Sequence, residues 1–182
     1  MIGMAPTIVA RTAALEKATR VAVVAALSAT TMLFASLASA YLVRRSFADW
    51  RPSTAAWPFL LLGFGLAASV GIEVAARSLG RRRRQGFIAL ASANALYLLS
   101  ALSVLISIAR GEGGLTAPWG AFVALLLGLH LVHALIATGF AAWILREAAG
   151  GPEDPGIFLA RLVTHFLTAL LGAIIFILFV LR

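Results

Sequence analysis

The stretch Trp119–Leu145, WGAFVALLLGLHLVHALIATGFAAWIL, decides the fold. It holds no charged side chain and no proline. It also exceeds the about 20 residues that a helix needs to cross a bilayer core at 1.5 Å per residue. Four comparable runs lie outward from it: Val21–Val43, Trp57–Ala76, Phe87–Ala109 and Ile157–Leu181. The connections between them are too short for a soluble domain. A hydrocarbon layer offers backbone groups no hydrogen bonds, so each run satisfies its own as a helix. A β-barrel would need short alternating strands, and these runs are continuous. The sequence therefore predicts an all-α polytopic bundle, one membrane domain over 1–182, with helices over 21–43, 57–78, 87–109, 119–145 and 158–181.

Composition agrees. Hydrophobic residues make up 62% and charged residues 12%, against about a quarter charged in soluble domains. There is no cysteine, which removes disulfides, thiolate metal sites and thiol nucleophiles together. The net charge of +8 does not point to nucleic acid, because the basic residues stand beside helix ends, where they set orientation. Arg11, Lys17, Arg20, Arg77, Arg81–Arg84, Arg146 and Arg161 fall on one side; Arg44, Arg45, Arg51, Arg110 and Arg182 fall on the other. The richer side is expected in the cytoplasm, with the N-terminus inside and the C-terminus outside. The basic start, the apolar stretch and Ala38-Ser39-Ala40 imitate a secretion signal, but the length of the run reads as a retained first helix.

Aromatic and arginine anchors fit the same frame. Trp57 and Trp119 mark outer helix ends and Trp143 an inner end, where amphipathic rings sit at headgroup level. Together with Arg44 and Arg81 they are candidate lipid-interface residues. The first helix is rich in small residues, with Ser28, Thr31 and Ala35 along one face and Ala25, Ala29, Ser36 and Ala40 along another. Such faces suit close packing within the bundle or a docking face for another subunit.

Polar groups inside the spans are few. Glu73 is four residues before Arg77, the favourable order for a helical ion pair. An intramembrane carboxylate also fits a proton-linked or intersubunit role. Asn94 and Tyr97 are expected to bond across to a neighbouring helix. His130 and His133 are three apart on the fourth helix, and His165 opens the fifth. Paired histidines invite a metal or haem reading. Depth argues against a shared haem. His133 lies roughly 20 Å from the inner surface and His165 about 6 Å at the helical rise. Ordinary tilt does not remove a mismatch of roughly 14 Å. The three histidines are therefore expected to be structural, interhelical hydrogen-bonders, with no catalytic, cofactor or metal site in this chain.

The segment Gly128-Leu129-His130-Leu131-Val132-His133 resembles the H-x-x-H helix of cytochrome c oxidase subunit III. Thr164-His165-Phe166 resembles that family's W-H-F segment. Met32-Leu33-Phe34 followed by Ala40-Tyr41-Leu42-Val43-Arg44 resembles its M-x-F…A-Y-x-x-R helix, and Trp57-Pro58 fits the next one. The resemblance runs in order over residues 30 to 180 and matches the short five-helix bacterial form. It departs at Thr30, Glu73, Thr164 and Thr168, where the family has Glu, His, Trp and Asp. The missing carboxylates leave a packing and lipid-holding role rather than a proton antenna. The resemblance implies a non-catalytic subunit of a respiratory haem–copper oxidase in the bacterial inner membrane. Such a subunit serves aerobic electron transport beside catalytic subunit I and the other oxidase subunits. Haem and copper would belong to those partners, with phospholipid bound in a cleft of this chain. Two other readings stand beside it: a small transporter or permease component, and the related accessory subunit of a nitric oxide reductase. The lack of mid-membrane charge and of visible inverted repeats weighs against transport.

Overall fold

The computed structural model describes residues 5–50, 57–79, 83–110, 114–147 and 154–180. Five helices make up the architecture: α1 (Ala5–Arg44), α2 (Trp57–Arg77), α3 (Arg83–Arg110), α4 (Pro118–Glu147) and α5 (Pro155–Ile175). A short 3₁₀ turn (Gly114–Thr116) precedes α4, and a π-helical turn (Phe176–Val180) continues α5. All five are long and apolar enough to cross a membrane. The chain is an all-helical, multi-pass membrane protein, and among the described residues there is no strand.

The helices lie on the expected spans; α1, α3 and α4 extend beyond them at both ends, α5 at its start, and α2 stops at Arg77. α1 begins at Ala5 rather than near residue 21. The segment ARTAALEKATR ahead of the apolar run contains strong helix formers and no glycine or proline, so nothing stops the helix there. At 1.5 Å per residue its 40 residues reach roughly 60 Å, about twice a hydrocarbon core. α5 starts three residues earlier than expected. Pro155 occupies the first turn, where a missing N–H is harmless, and the Asp154 carboxylate accepts from the Gly156 N–H at 2.8 Å.

α2 packs on α3, α3 on α4, α4 on α5, and α5 back on α2, closing a four-helix ring. Short connections make such neighbours antiparallel. The closest seam is α2 against α3. A Cβ on Gly86 would stand 2.8 Å from the Ala75 Cα, and one on Gly71 would stand 3.1 Å from the Ala93 Cβ. In lipid, small residues let backbones approach and gain dispersion contacts that larger side chains would block.

α1 stands outside the ring, against α5 and α4. Its buried stripe is Thr30, Phe34 and Tyr41, a spacing that keeps one narrow face on its neighbours. Both small-residue rows, which suit either bundle packing or a docking face, are exposed, with Thr31 and Ala35 bordering a gap against α4 and α5. Their hydroxyls are satisfied locally: Ser28, Thr31, Ser36 and Ser39 each donate at 2.9 Å to the carbonyl four residues back.

The α2–α3 seam yields a stability prediction. Gly86→Val forces side-chain atoms against backbone and should cost about 1–3 kcal/mol of thermal stability in detergent. Gly63→Ala meets nothing within 4 Å and should be neutral. Equal melting curves for the two variants would refute the close approach.

Candidate functional site

Three polar or aromatic centres stand out, at the end of the ring that carries Arg77 and Arg161, in the middle, and at the opposite end. The first is ionic. Glu73 in the penultimate turn of α2 accepts from Arg161 Nε at 2.7 Å and from Arg161 Nη2 at 2.8 Å. His165, four residues along α5, places Nε2 2.9 Å from the same carboxylate. An ionised carboxylate only accepts, so that nitrogen carries the proton. Arg77, the partner expected from the local spacing, reaches only 3.8 Å and is 80% exposed. The two-pronged guanidinium fits the carboxylate better than an i, i+4 neighbour can, because α2 and α5 set both oxygens toward it. The local pair is thus secondary, and the dominant one joins two helices.

In the middle, Thr138 on α4 lies 2.8 Å from Asn94 Oδ1 on α3 and 2.8 Å from the Ala134 carbonyl, so its single proton serves one or the other. Asn94 donates its amide to Leu90 O at 3.0 Å. The expected cross-helix role of Asn94 is therefore present. Thr168 on α5 lies 3.1 Å from Gly65 O and 2.7 Å from Ser69 Oγ, both on α2. Its own Thr164 O lies at 3.2 Å as well, so the single Thr168 proton serves one of these acceptors, and either hydroxyl can donate in the Ser69–Thr168 pair. Tyr97 meets the His130 ring edge-on at 5.9 Å. Among the described residues no hydrogen bond of its hydroxyl is formed.

The histidines do not converge. Phe34 of α1 sits edge-on to His130 at 6.4 Å and to His133 at 5.8 Å, so the M-x-F and H-x-x-H segments meet in space. His133 Nδ1 bonds the Leu129 carbonyl of its own helix at 2.8 Å, not another helix. His130 is 2% exposed, and its Nδ1 has no partner. His165 alone is an interhelical hydrogen-bonder. Among the described residues, no three His, Asp or Glu side chains gather in a way that could hold a metal ion.

The opposite end is aromatic. Tyr41, 1% exposed, donates its hydroxyl to Leu178 O at 3.2 Å, a carbonyl in the π turn. Trp57 and Trp119 flank Phe179 at 5.1 and 5.9 Å, both edge-on. Trp119, expected at the lipid interface, is 7% exposed with an unpartnered indole N–H. The ring that suits a headgroup belt equally suits an apolar seam. Trp57 is half-buried, while Trp143 is exposed and tilts on Phe140. Arg44 is bound to Asp49 through two hydrogen bonds, one of 2.6 Å, and lies over the Phe47 ring. Arg81 lies outside the described residues.

Between α1 and the ring run two apolar grooves. One, of about 190 Å³, has Leu27, Thr30, His133, Phe140 and Leu167 in its walls. The other, of about 230 Å³, has Phe34, Ala38, Leu126, Ile174 and Ile177. They open on opposite halves of α1, as crossing helices dictate.

No protein-family model, no curated protein and no solved structure matches this chain.

Two predictions rest on this geometry. Glu73→Gln leaves Arg161 without its counter-ion and should cost about 2 kcal/mol, whereas Arg77→Gln should cost less than about 1 kcal/mol. Thermal unfolding in nanodiscs ranks them, and the reverse order would show that the local pair dominates. The second concerns pH. The Asp49 carboxyl is held below its ordinary value, first by the Arg44 hydrogen bond and further by that cation's charge, with desolvation opposing. A depressed folded value means the link is intact above the ordinary value of 3.8 and is lost as pH falls below it. Trp50 fluorescence should hold constant from neutral pH to about 4 and change only below that. A transition near pH 6 would contradict it.

Proposed function

We propose that this chain is a non-catalytic accessory subunit of a respiratory haem–copper terminal oxidase, of the subunit III type, in a bacterial inner membrane. Its N-terminus would lie in the cytoplasm, where the richer set of lysines and arginines falls. The observation that carries the reading is the stance of α1. This helix touches α4 and α5 along one stripe, leaves apolar grooves of about 190 and 230 Å³ beside it, and exposes two rows of small residues. A helix that needs only its own chain has no use for such open small surface, whereas a helix shared with a larger subunit does. The grooves suit acyl chains in shape and polarity, which fits a lipid-holding role. The resemblance supports the same reading, because its separated motif residues are neighbours here. Phe34 meets both histidines of the H-x-x-H helix, and Tyr41 and Trp57 close the outer end.

The role of the chain would be mechanical. Glu73 and Arg161 hold α2 to α5, Phe34 seats α1 on α4, and the row Ala25, Ala29, Ser36 and Ala40 of α1 meets the catalytic subunit. Haem and copper would be held by that partner.

The test is capture of the tagged full-length chain in mild detergent, with an optical spectrum and mass spectrometry of what accompanies it. A large multi-span haem–copper subunit with reduced a- or o-type haem bands is the expected result. A nitric oxide reductase catalytic subunit would shift the assignment to that enzyme. A colourless chain, alone or with a transport ATPase, would end the oxidase reading.

A further inference from the structure

The two grooves beside α1 differ in one respect. The larger, of about 230 Å³, is lined by hydrocarbon side chains and by Thr31, whose hydroxyl already donates to Leu27 O at 2.9 Å. A lipid tail satisfies such a groove. The smaller, of about 190 Å³, has in its walls two polar side chains with bonding capacity to spare, Thr30 of α1 and His133 of α4. Ser28, Thr31, Ser36 and Ser39 each bond back to their own helix, but Thr30, 9% exposed, forms no hydrogen bond among the described residues. His133 Nδ1 lies 2.8 Å from Leu129 O. A carbonyl only accepts, so Nδ1 carries the proton and, in the neutral ring, Nε2 is an acceptor. Nε2 has no partner among the described residues, and, unlike His130 Nδ1, it is not sealed inside the protein. Phe34, edge-on at 5.8 Å, braces the ring.

Depth narrows the occupant. Thr30 is at the midpoint of the apolar span Glu16–Arg44, and His133 is midway along α4. Both stand roughly 20 Å from the ends of their spans at 1.5 Å per residue. A phospholipid keeps its headgroup at the surface, about 15 Å from the middle of the hydrocarbon core, and its tails carry no donor. An acyl chain fits the smaller groove in shape but leaves a hydroxyl and an imidazole nitrogen unpaired in hydrocarbon, where each is costly. One water fills only a small part of the space, since its share of liquid volume is about 30 Å³. The molecule that suits these walls is uncharged, apolar and ring-sized, with an O–H to give. Phe140 offers such a ring an aromatic neighbour.

We propose that the groove between Thr30 and His133 binds a membrane quinol. One ring hydroxyl donates to His133 Nε2, another ring oxygen pairs with the Thr30 hydroxyl, and the apolar tail is left to the lipid. The chemistry selects the redox form. A quinone has carbonyls only, so it accepts from Thr30 but has no proton for His133, whereas the quinol serves both. The groove lies wholly within this chain, so binding needs no partner subunit.

The experiment is ¹⁵N-histidine NMR of the full-length protein in phospholipid nanodiscs. The probes are ubiquinol with a ten-carbon tail, kept reduced, and the matching quinone. A saturable shift of the His133 ring nitrogens, with the His165 ring unmoved and the quinone roughly tenfold weaker for want of one hydrogen bond, is the expected result. Thr30→Val keeps the side chain's shape and should weaken quinol binding by a similar factor without lowering the melting temperature. Ala26→Phe, at the exposed rim of the groove, keeps both polar groups and should abolish the shift by filling the space. Equal affinity for quinol and quinone, a shift that never saturates, or the same shift with dioleoylglycerol would each overturn the proposal. The first two outcomes leave a groove that takes hydrocarbon alone, and the third leaves one that takes any lipid hydroxyl.

Discussion

Helices in hydrocarbon gain nothing from burying apolar surface against one another, since lipid tails are as apolar as leucine. What holds this ring together must come from close contact and from polar groups that lipid cannot satisfy. Both are present, and they are divided among the seams. α2 and α3 meet backbone to backbone through Gly71 and Gly86. α2 and α5 are joined by ions and hydroxyls: Glu73 with Arg161 and His165, and Ser69 with Thr168. α3 and α4 share the Asn94–Thr138 bond. α4 and α5 pack through apolar side chains, with Ala141, Leu145, Ile157 and Ala160 in one buried cluster. Each seam thus uses a different device for the same physical shortage.

The Glu73 cluster shows why charge is tolerated here. An isolated carboxylate at this depth would be expensive, and such residues persist only when paired or wet. Glu73 is 20% exposed and receives three donors from α5, so its charge is spread over a guanidinium and an imidazole. Arg161 and His165 are four apart, which places both on the face of α5 that turns to α2. The cluster therefore fixes the rotation of α5 about its axis. That rotation also sends Thr168 toward Ser69 and Leu171, fully buried, into the core.

The spans were legible because length and apolarity are local quantities, read without knowing which helix lies beside which. The partner of Glu73 was not. Arg77 is one turn away, and Arg161 is 88 positions distant. Only the docking of α2 on α5 makes the distant one closer. Trp119 was misplaced for a related reason. A tryptophan at a helix end reads as a headgroup anchor until a neighbour such as Phe179 claims its ring. His133 was expected to cross to another helix, but an imidazole can reach its own i−4 carbonyl, and that local bond won. Asn94 reaches across through its Oδ1, which lies 2.8 Å from the Thr138 hydroxyl, while its amide takes the local Leu90 carbonyl. The N-terminal reach of α1 was missed because apolar length marks where a helix is buried, not where it starts.

α1 is the element whose role the rest of the chain leaves unfinished. Its inward stripe of Thr30, Phe34 and Tyr41 is narrow. Met32 is 70% exposed and Val43 67%. Lipid alone could cover apolar residues of this kind. It gives no reason for the two flanking rows of Ala, Ser and Thr, whose hydroxyls are already satisfied by their own helix. Small residues facing lipid gain little dispersion contact, whereas small residues facing another helix gain a close approach. α1 is held against the four-helix ring by few side chains and leaves most of its circumference exposed.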